Sequence, residues 1–370
     1  MPGRIVFHTA SLRGGGAERV FVLMANEMAA RGHDVTLFTW NAEGPNAALL
    51  AAPVRLIDLG LPIRGEGFGK PGTLAGLWRS IGVLRRLRPD AVYSAPEFAN
   101  LVIALALLLG GSKARFFPSF HAAAALPSSE LGARLAVLLS GVVARRAEKA
   151  IAVSQGVGRD LAARGFAEAR IAVINNPLPP QAEGCGRKSY PWQAQLAARG
   201  TGPVIATAGR LVPVKDHRTL LQAFAALCAR RAARLVLFGE GPLEQDLRAF
   251  AAELGIADRV LFAGYVNDPA ACYAAADLFV LSSTSEGFGN VLIEAMAAGV
   301  PVVSTDAPHG PREILRDGEF GTLVPVGDAA ALAGALAAGL DQPADAARLR
   351  RRAADFTVGR IGDSYEALLE

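Results

Sequence analysis

The chain has 370 residues, 51% hydrophobic and 19% charged, which is too long for one ordinary core and too apolar for a disordered chain. Its net charge of +4 hides an asymmetry, because residues 1–178 carry 20 Lys and Arg against 12 Asp and Glu, whereas residues 179–370 carry 18 against 22. The basic first part suits either a solvated face or a phosphate-bearing partner, such as an anionic membrane surface or a lipid diphosphate; no DNA- or RNA-reading motif accompanies it, so nucleic acid is not expected.

In chain order, residues 4–10 read as a buried strand, followed by a glycine-rich turn and a helix over 17–31. Strands follow at 34–40 and 54–58, a helix near 74–86 and a strand at 91–94. The apolar run 101–109 is far shorter than the roughly 20 residues of a membrane span and is expected to be a buried helix. Further strands are expected at 114–119, 150–154 and 171–174. Periodicity is lost from residue 175, and a Pro- and Gly-rich linker is placed at 179–202. Alternation resumes with strands at 203–208, 234–238, 259–262, 278–281 and 300–304. Helices are expected between them at 216–230, 243–254, 269–275 and from 290.

Strands separated by helices imply parallel sheets covered on both faces. The expected class is therefore α/β, with two Rossmann-like, doubly wound domains at 1–178 and 203–355 and a last helix, about 356–370, that can pack back on the first. Such sheets bind ligands beyond the carboxyl ends of their strands. Cys185, Cys228 and Cys272 share no metal-ligand spacing and read as reduced thiols. Residues 1–19 lack a basic head followed by an apolar stretch, so a cytoplasmic protein is expected, peripheral on the inner face of the membrane if the basic first domain meets lipid.

The most informative stretch is 281–313, LSSTSEGFGNVLIEAMAAGVPVVSTDAPHGPRE. A strand ends, a loop containing Gly287 and Gly289 follows, and a helix begins near Asn290. The amides at a helix start favour anions, and glycine lets one approach closely, so a diphosphate fits there. Glu294 lies in the second helical turn among apolar residues, where an uncompensated carboxylate is costly. Ribose hydroxyls one turn behind the phosphates would satisfy it; the plainer alternative is contact with solvent or an arginine. Glu286 lies eight residues earlier, on the loop, where it can face a sugar ring.

This pattern resembles the family-4 retaining glycosyltransferases of GT-B fold, in the branch that builds bacterial polysaccharides and lipid-linked oligosaccharides. The resemblance covers nearly the whole chain. Glu286, Phe288, Gly289 and Glu294 match the family's paired glutamates in full. It implies that Glu286 binds donor-sugar hydroxyls and Glu294 the ribose. It also implies that the amides of Phe288 and Gly289 touch the sugar, and those of Asn290 and Val291 the distal phosphate.

A second motif, AGRLVPVKDH at 208–217, puts Arg210 and Lys215 at a strand's carboxyl end, where fixed cations would stabilise a departing diphosphate. The resemblance assigns both to that role. No Asp-x-Asp occurs and the five histidines are not closely paired, so neither metal nor other cofactor is expected. In LRGGGAE at 12–18, the amides of Gly15 and Gly16 are implied to approach the donor; a plain tight turn is the alternative, and Arg19 stands where a dinucleotide fingerprint needs glycine. His121, after the strand 115–119, matches a family histidine beside the transferred sugar. Val266, in GYVND at 264–268, is implied to meet the base. Ser154, Gln155, Asn175 and Asn176 also match family patterns but read equally well as strand-end turns.

The expected activity is metal-independent, retaining transfer of a hexose or N-acetylhexosamine from a nucleoside-diphosphate sugar, with UDP as the expected nucleotide. The acceptor would be a glycan or a lipid diphosphate. Rival readings are a sugar-nucleotide sensor without turnover, and an epimerase or phosphorylase on the same frame. Incubating donor with and without acceptor separates them.

Overall fold

The alternating pattern becomes two all-parallel sheets in the computed structural model, which describes every residue except 1–2, 14, 64–67, 123–136, 181–189, 267 and 343–344. The chain divides into two compact units, Met1–Pro177 with Val358–Glu370, and Leu178–Thr357.

In the first unit the described elements are β1 (Arg4–Ser11), α1 (Gly16–Ala30), β2 (Asp34–Asn41), β3 (Arg55–Asp58), α2 (Gly69–Leu87), β4 (Ala91–Ala95) and α3 (Glu97–Leu109). They continue as β5 (Arg115–Phe120), α4 (Ser140–Arg146), β6 (Ala150–Ala152), α5 (Gln155–Ala163) and β7 (Ile171–Val173). The strand order is β3-β2-β1-β4-β5-β6-β7. The chain leaves β1 in one direction across the sheet and later returns to β4 on its other side, so β1 and β4 flank the switch point. Strand β6 stops earlier than expected, because Ser154 turns to cap α5, accepting from the Val157 amide at 3.2 Å. The run 101–109 is helical, but its last two leucines are exposed, contrary to the expectation of full burial.

The second unit holds α6 (Pro191–Ala197), β8 (Val204–Ala208), α7 (His217–Cys228), β9 (Arg234–Phe238), α8 (Glu244–Glu253), β10 (Val260–Gly264), α9 (Pro269–Ala274) and β11 (Leu278–Leu281). After these come α10 (Asn290–Ala298), β12 (Val302–Thr305), α11 (Pro311–Ile314), β13 (Thr322–Val324), α12 (Ala329–Asp341) and α13 (Ala346–Ala353). The order β10-β9-β8-β11-β12-β13 puts the switch point between β8 and β11. Helix α6 lies inside the stretch expected to be a linker. Its Trp192 is buried edge-on to Phe238 at 4.9 Å, and burying an indole outweighs the local lack of periodicity.

Helix α14 (Val358–Ala367) returns to the first unit and packs on α1. Tyr365 sits 5.3 Å from the ring of Tyr93, which stacks on Phe7 and Phe117 at 4.9 Å each. The Tyr93 hydroxyl donates to the Tyr365 carbonyl at 3.0 Å. Arg31 ties the same helix to α1 through Asp363 and Glu366.

Candidate active site

The two expected donor motifs emerge from adjacent strands. The loop after β8 carries Arg210 and Lys215, and the loop after β11 carries Glu286, so both start at the switch point of the second sheet. Hydrogen bonds join the two loops. The Thr284 amide donates to Val214 O at 2.8 Å, and the Ser282 hydroxyl donates to Lys215 O at 2.8 Å. From β12, Thr305 Oγ1 donates to Ser283 O at 2.6 Å. Glycine makes this closeness possible. A Cβ on Gly239 would overlap the Gly209 carbonyl, and one on Gly310 would overlap the carbonyl of Phe288. Gly310 also has φ +77°, a left-handed conformation that favours glycine.

These constraints put Lys215 Nζ 2.5 Å from Glu286 Oε1, and the same oxygen accepts from Ser283 Oγ at 2.6 Å. Both charged side chains are largely shielded, so their attraction is stronger than that of a surface pair. The hydroxyl-binding carboxylate and one diphosphate cation expected from sequence are thus direct neighbours. Arg210 is exposed on the same loop, and among the described residues its side chain has no ion-pair partner.

Phe288 is buried, and Gly289, at φ +102°, is the N-cap of α10. Helices α7, α9 and α12 each begin with an aspartate that accepts a first-turn amide. Gly289 brings no such carboxylate to the start of α10, at Asn290 and Val291, so the positive end of the helix dipole is not offset by an acidic cap.

Leu292, Ile293, Ala295 and Met296 bury one side of α10 and leave Glu294 half-buried. The Tyr273 hydroxyl, from α9, donates to Glu294 Oε2 at 2.7 Å. This partner was not identified from sequence; the only available signal was an aromatic with a hydroxyl in an otherwise alanine-rich helix. Burial pushes the thiol of the adjacent Cys272 up to about 12, with Asp268 and Glu294 adding in the same direction, so it is unreactive. Val266 is half-buried on the loop after β10, beyond Gly264. Ser283 and Thr305 are further members of the cluster that sequence reasoning did not single out.

In the first unit, Gly15 is the N-cap of α1, and Gly16 its first residue. The Gly15 amide donates to Glu18 Oε2 at 2.7 Å, while Glu18 Oε1 accepts from Ser11 Oγ at 2.7 Å. An anion reaching the Gly15 amide must therefore displace Glu18. His121 follows β5, and its Nε2 lies 2.9 Å from Ser119 Oγ. Its Nδ1 is buried without a partner among the described residues, and burial lowers the imidazole to about 4. The ring is neutral near pH 7 and can hydrogen-bond a substrate without carrying charge. The Asn175 amide donates to Val153 O at 3.0 Å, as a strand-end turn would.

Two doubly wound parallel sheets, with a carboxylate–ammonium pair at the switch point of the second, define a GT-B protein. The profile described as Glycosyl transferases group 1 matches residues 190–356, and that described as Glycosyltransferase Family 4 matches residues 14–182. The lipopolysaccharide core biosynthesis glycosyltransferase LpsE of Rhizobium meliloti (strain 1021) is 30% identical over 96% of both chains. The N-acetylgalactosamine-N,N'-diacetylbacillosaminyl-diphospho-undecaprenol 4-alpha-N-acetylgalactosaminyltransferase of Campylobacter jejuni is 42% identical over 33% of each chain. Among solved structures, Anabaena Alr3699/HepE in complex with UDP and glucose superposes with a TM-score of 0.80, at 25% identity over 99% of this chain and 98% of that one. The chain belongs to glycosyltransferase family 4 and is a glycosyltransferase.

Proposed function

We propose that the protein transfers a hexose or N-acetylhexosamine, with retention and without a metal, from a UDP-sugar to a glycan or lipid-diphosphate acceptor in lipopolysaccharide or polysaccharide synthesis, at the inner face of the cell membrane. The observation that carries this reading is the Lys215–Glu286 pair beside the start of α10, with Glu294 one turn further on. Support for the substrates comes from the relatives: LpsE acts in lipopolysaccharide core biosynthesis, the Campylobacter enzyme carries a diphospho-undecaprenol in its name, and HepE is seen with UDP and glucose.

In this reading Glu294 holds the ribose, Val266 lies by the base, and the start of α10 meets the distal phosphate. The bond between the anomeric carbon and the phosphate oxygen breaks on the face where the acceptor oxygen bonds. The acceptor proton passes to the leaving phosphate. Arg210 and Lys215 stabilise the charge that develops there, while Glu286 and neutral His121 orient the sugar. Gly15 and Gly16 approach the donor once Glu18 yields.

A donor screen reading released nucleoside diphosphate, followed by NMR of the product, tests the proposal. UDP release in the presence of a chelator and a product of unchanged anomeric configuration are expected. An inverted linkage, or hydrolysis with no transfer to any glycan or lipid diphosphate, overturns it.

A further inference from the structure

Residues two apart in a strand share a face, so Phe117 and Ser119 of β5, with His121 continuing the line, lie on one side of the first sheet. Phe120 points to the other side, where Phe166 meets it edge-on at 5.4 Å. The first side is covered by aromatic rings: Phe117 stacks on Tyr93, which is packed against Tyr365 of α14. Hydrogen bonds hold this end of the strand in place. Asn100 Nδ2 donates to Ser119 O at 2.8 Å, and Ser94 Oγ donates to Asn100 Oδ1 at 2.5 Å, all three residues being fully buried. Phe21 of α1 meets the His121 ring edge-on at 6.1 Å. The Ser119 hydroxyl is therefore fixed, away from water, 2.9 Å from His121 Nε2.

A hydroxyl beside an imidazole can donate or accept, and what lies behind it decides which. Behind Ser119 is the phenol of Tyr365, fully buried, with Ser119 as its side-chain hydrogen-bond partner. A phenol cut off from water needs an acceptor for its proton, and the serine oxygen is the one that faces it. Tyr365 then donates to Ser119 Oγ, and the serine's own proton is left for His121 Nε2. A ring nitrogen that accepts carries no proton, so in the neutral imidazole the proton is on Nδ1. Nδ1 is the atom that is buried without a partner among the described residues. As an N–H it is satisfied only by an atom with a lone pair, such as a sugar or phosphate oxygen, and not by a cation. It sits past the carboxyl end of β5, the edge at which doubly wound sheets bind ligands.

We propose that Ser119 is a positioning residue for His121: backed by the Tyr365 phenol, its hydroxyl donates to Nε2, fixes the ring as the Nδ1–H tautomer and leaves one N–H donor for an oxygen of the substrate. Helix α14 thereby acts on the site through a side chain that touches no ligand. This rests on the reading in which His121 orients the sugar, but the tautomer is read without substrate, so the two can fail separately.

Nitrogen NMR separates a bare imidazole nitrogen from a proton-bearing one. The full chain, labelled at its histidines, gives both nitrogens of His121 at neutral pH, assigned by the loss of their signals in His121→Gln. A proton-bearing Nδ1 and a bare Nε2 are expected in the wild type. Ser119→Ala should shift the ring toward the Nε2–H form, and Tyr365→Phe should do so in part; circular dichroism confirms folding of each variant. With the UDP-sugar turned over in the donor screen, Ser119→Ala should lower kcat about tenfold and change the donor KM by less than about twofold. In a His121→Ala background the same substitution should cost nothing further, because a residue that acts through another has no effect once that other is gone. A bare Nδ1 in the wild type, an unchanged spectrum in either variant, or a full tenfold loss from Ser119→Ala on top of His121→Ala would each overturn the proposal. Wild-type kcat in His121→Ala would instead overturn the role given to His121 in the reaction, with the measured tautomer still standing.

Discussion

The ammonium of Lys215 and the carboxylate of Glu286 are 71 residues apart in sequence and 2.5 Å apart in space. One is placed by the loop after β8 and the other by the loop after β11, so the geometry of the switch point fixes the pair. A diphosphate and a sugar ring would have to share these groups with each other.

Because both side chains are largely shielded, removing one leaves the other's charge less compensated. Lys215→Ala should cost about 1–2 kcal/mol of stability in urea unfolding, and Lys215→Ala/Glu286→Gln should recover part of it. Each single variant should also lower kcat about hundredfold. Strictly additive stability losses would show that the pair is not coupled.

Arg210 gives the contrasting case. It is exposed, so Arg210→Ala should change stability by no more than about 0.5 kcal/mol. If it stabilises the leaving group, turnover should still fall about hundredfold, mostly in kcat. Wild-type turnover would remove Arg210 from the reaction.

Tyr273 holds Glu294 at 2.7 Å, so Tyr273→Phe should loosen the carboxylate without removing it. Donor affinity by calorimetry should fall about fivefold, corresponding to one hydrogen bond of about 1 kcal/mol. Glu294→Ala should lose far more. Unchanged affinity in the alanine variant would contradict the ribose assignment.

Acid should destabilise the fold through three imidazoles, those of His8 and His217 buried and that of His121 half-buried. Burial lowers His8, His121 and His217 from the ordinary 6.5 to about 4, and the charge of Lys215 adds to the effect at His217. Between these values the unfolded chain binds more protons than the native one, so stability rises with pH across that window. The contribution is present in full above about 6.5 and is lost as pH falls through 4. Calorimetry should show Tm dropping from pH 7 to pH 5, and less so in His8→Gln/His217→Gln; a flat Tm would count against neutral burial.

Much of the architecture was readable because the strands are short apolar runs between breakers. The limits expected at 234–238 and 278–281 coincide with β9 and β11, and α10 begins at Asn290 as expected. The helices α12 and α13 went unread. In AAALAGALAAGLD nearly every position is apolar, so high helix propensity has no polar contrast to mark a face, and AARLRRRA spans only eight residues, too few for its periodicity to stand out. At the site, residue types and their local spacing were visible in the motif, but partners were not. No local pattern announces that Lys215 meets Glu286 or that Tyr273 reaches Glu294, since strand order creates both contacts. The engagement of the Gly15 amide by Glu18 was in principle legible, being the N-cap-to-third-residue spacing of a capping box.

The aromatic column Phe7–Tyr93–Phe117 is closed by Tyr365, from a helix that arrives only after the whole second unit has been traversed. On the ribosome, the first sheet therefore waits for a segment made after the second unit to seal its wall. A release that stops short of Val358 would leave a finished second unit tethered to an unsealed first one, open to proteases along α1. In this molecule a late nonsense codon is a lesion of the amino-terminal core.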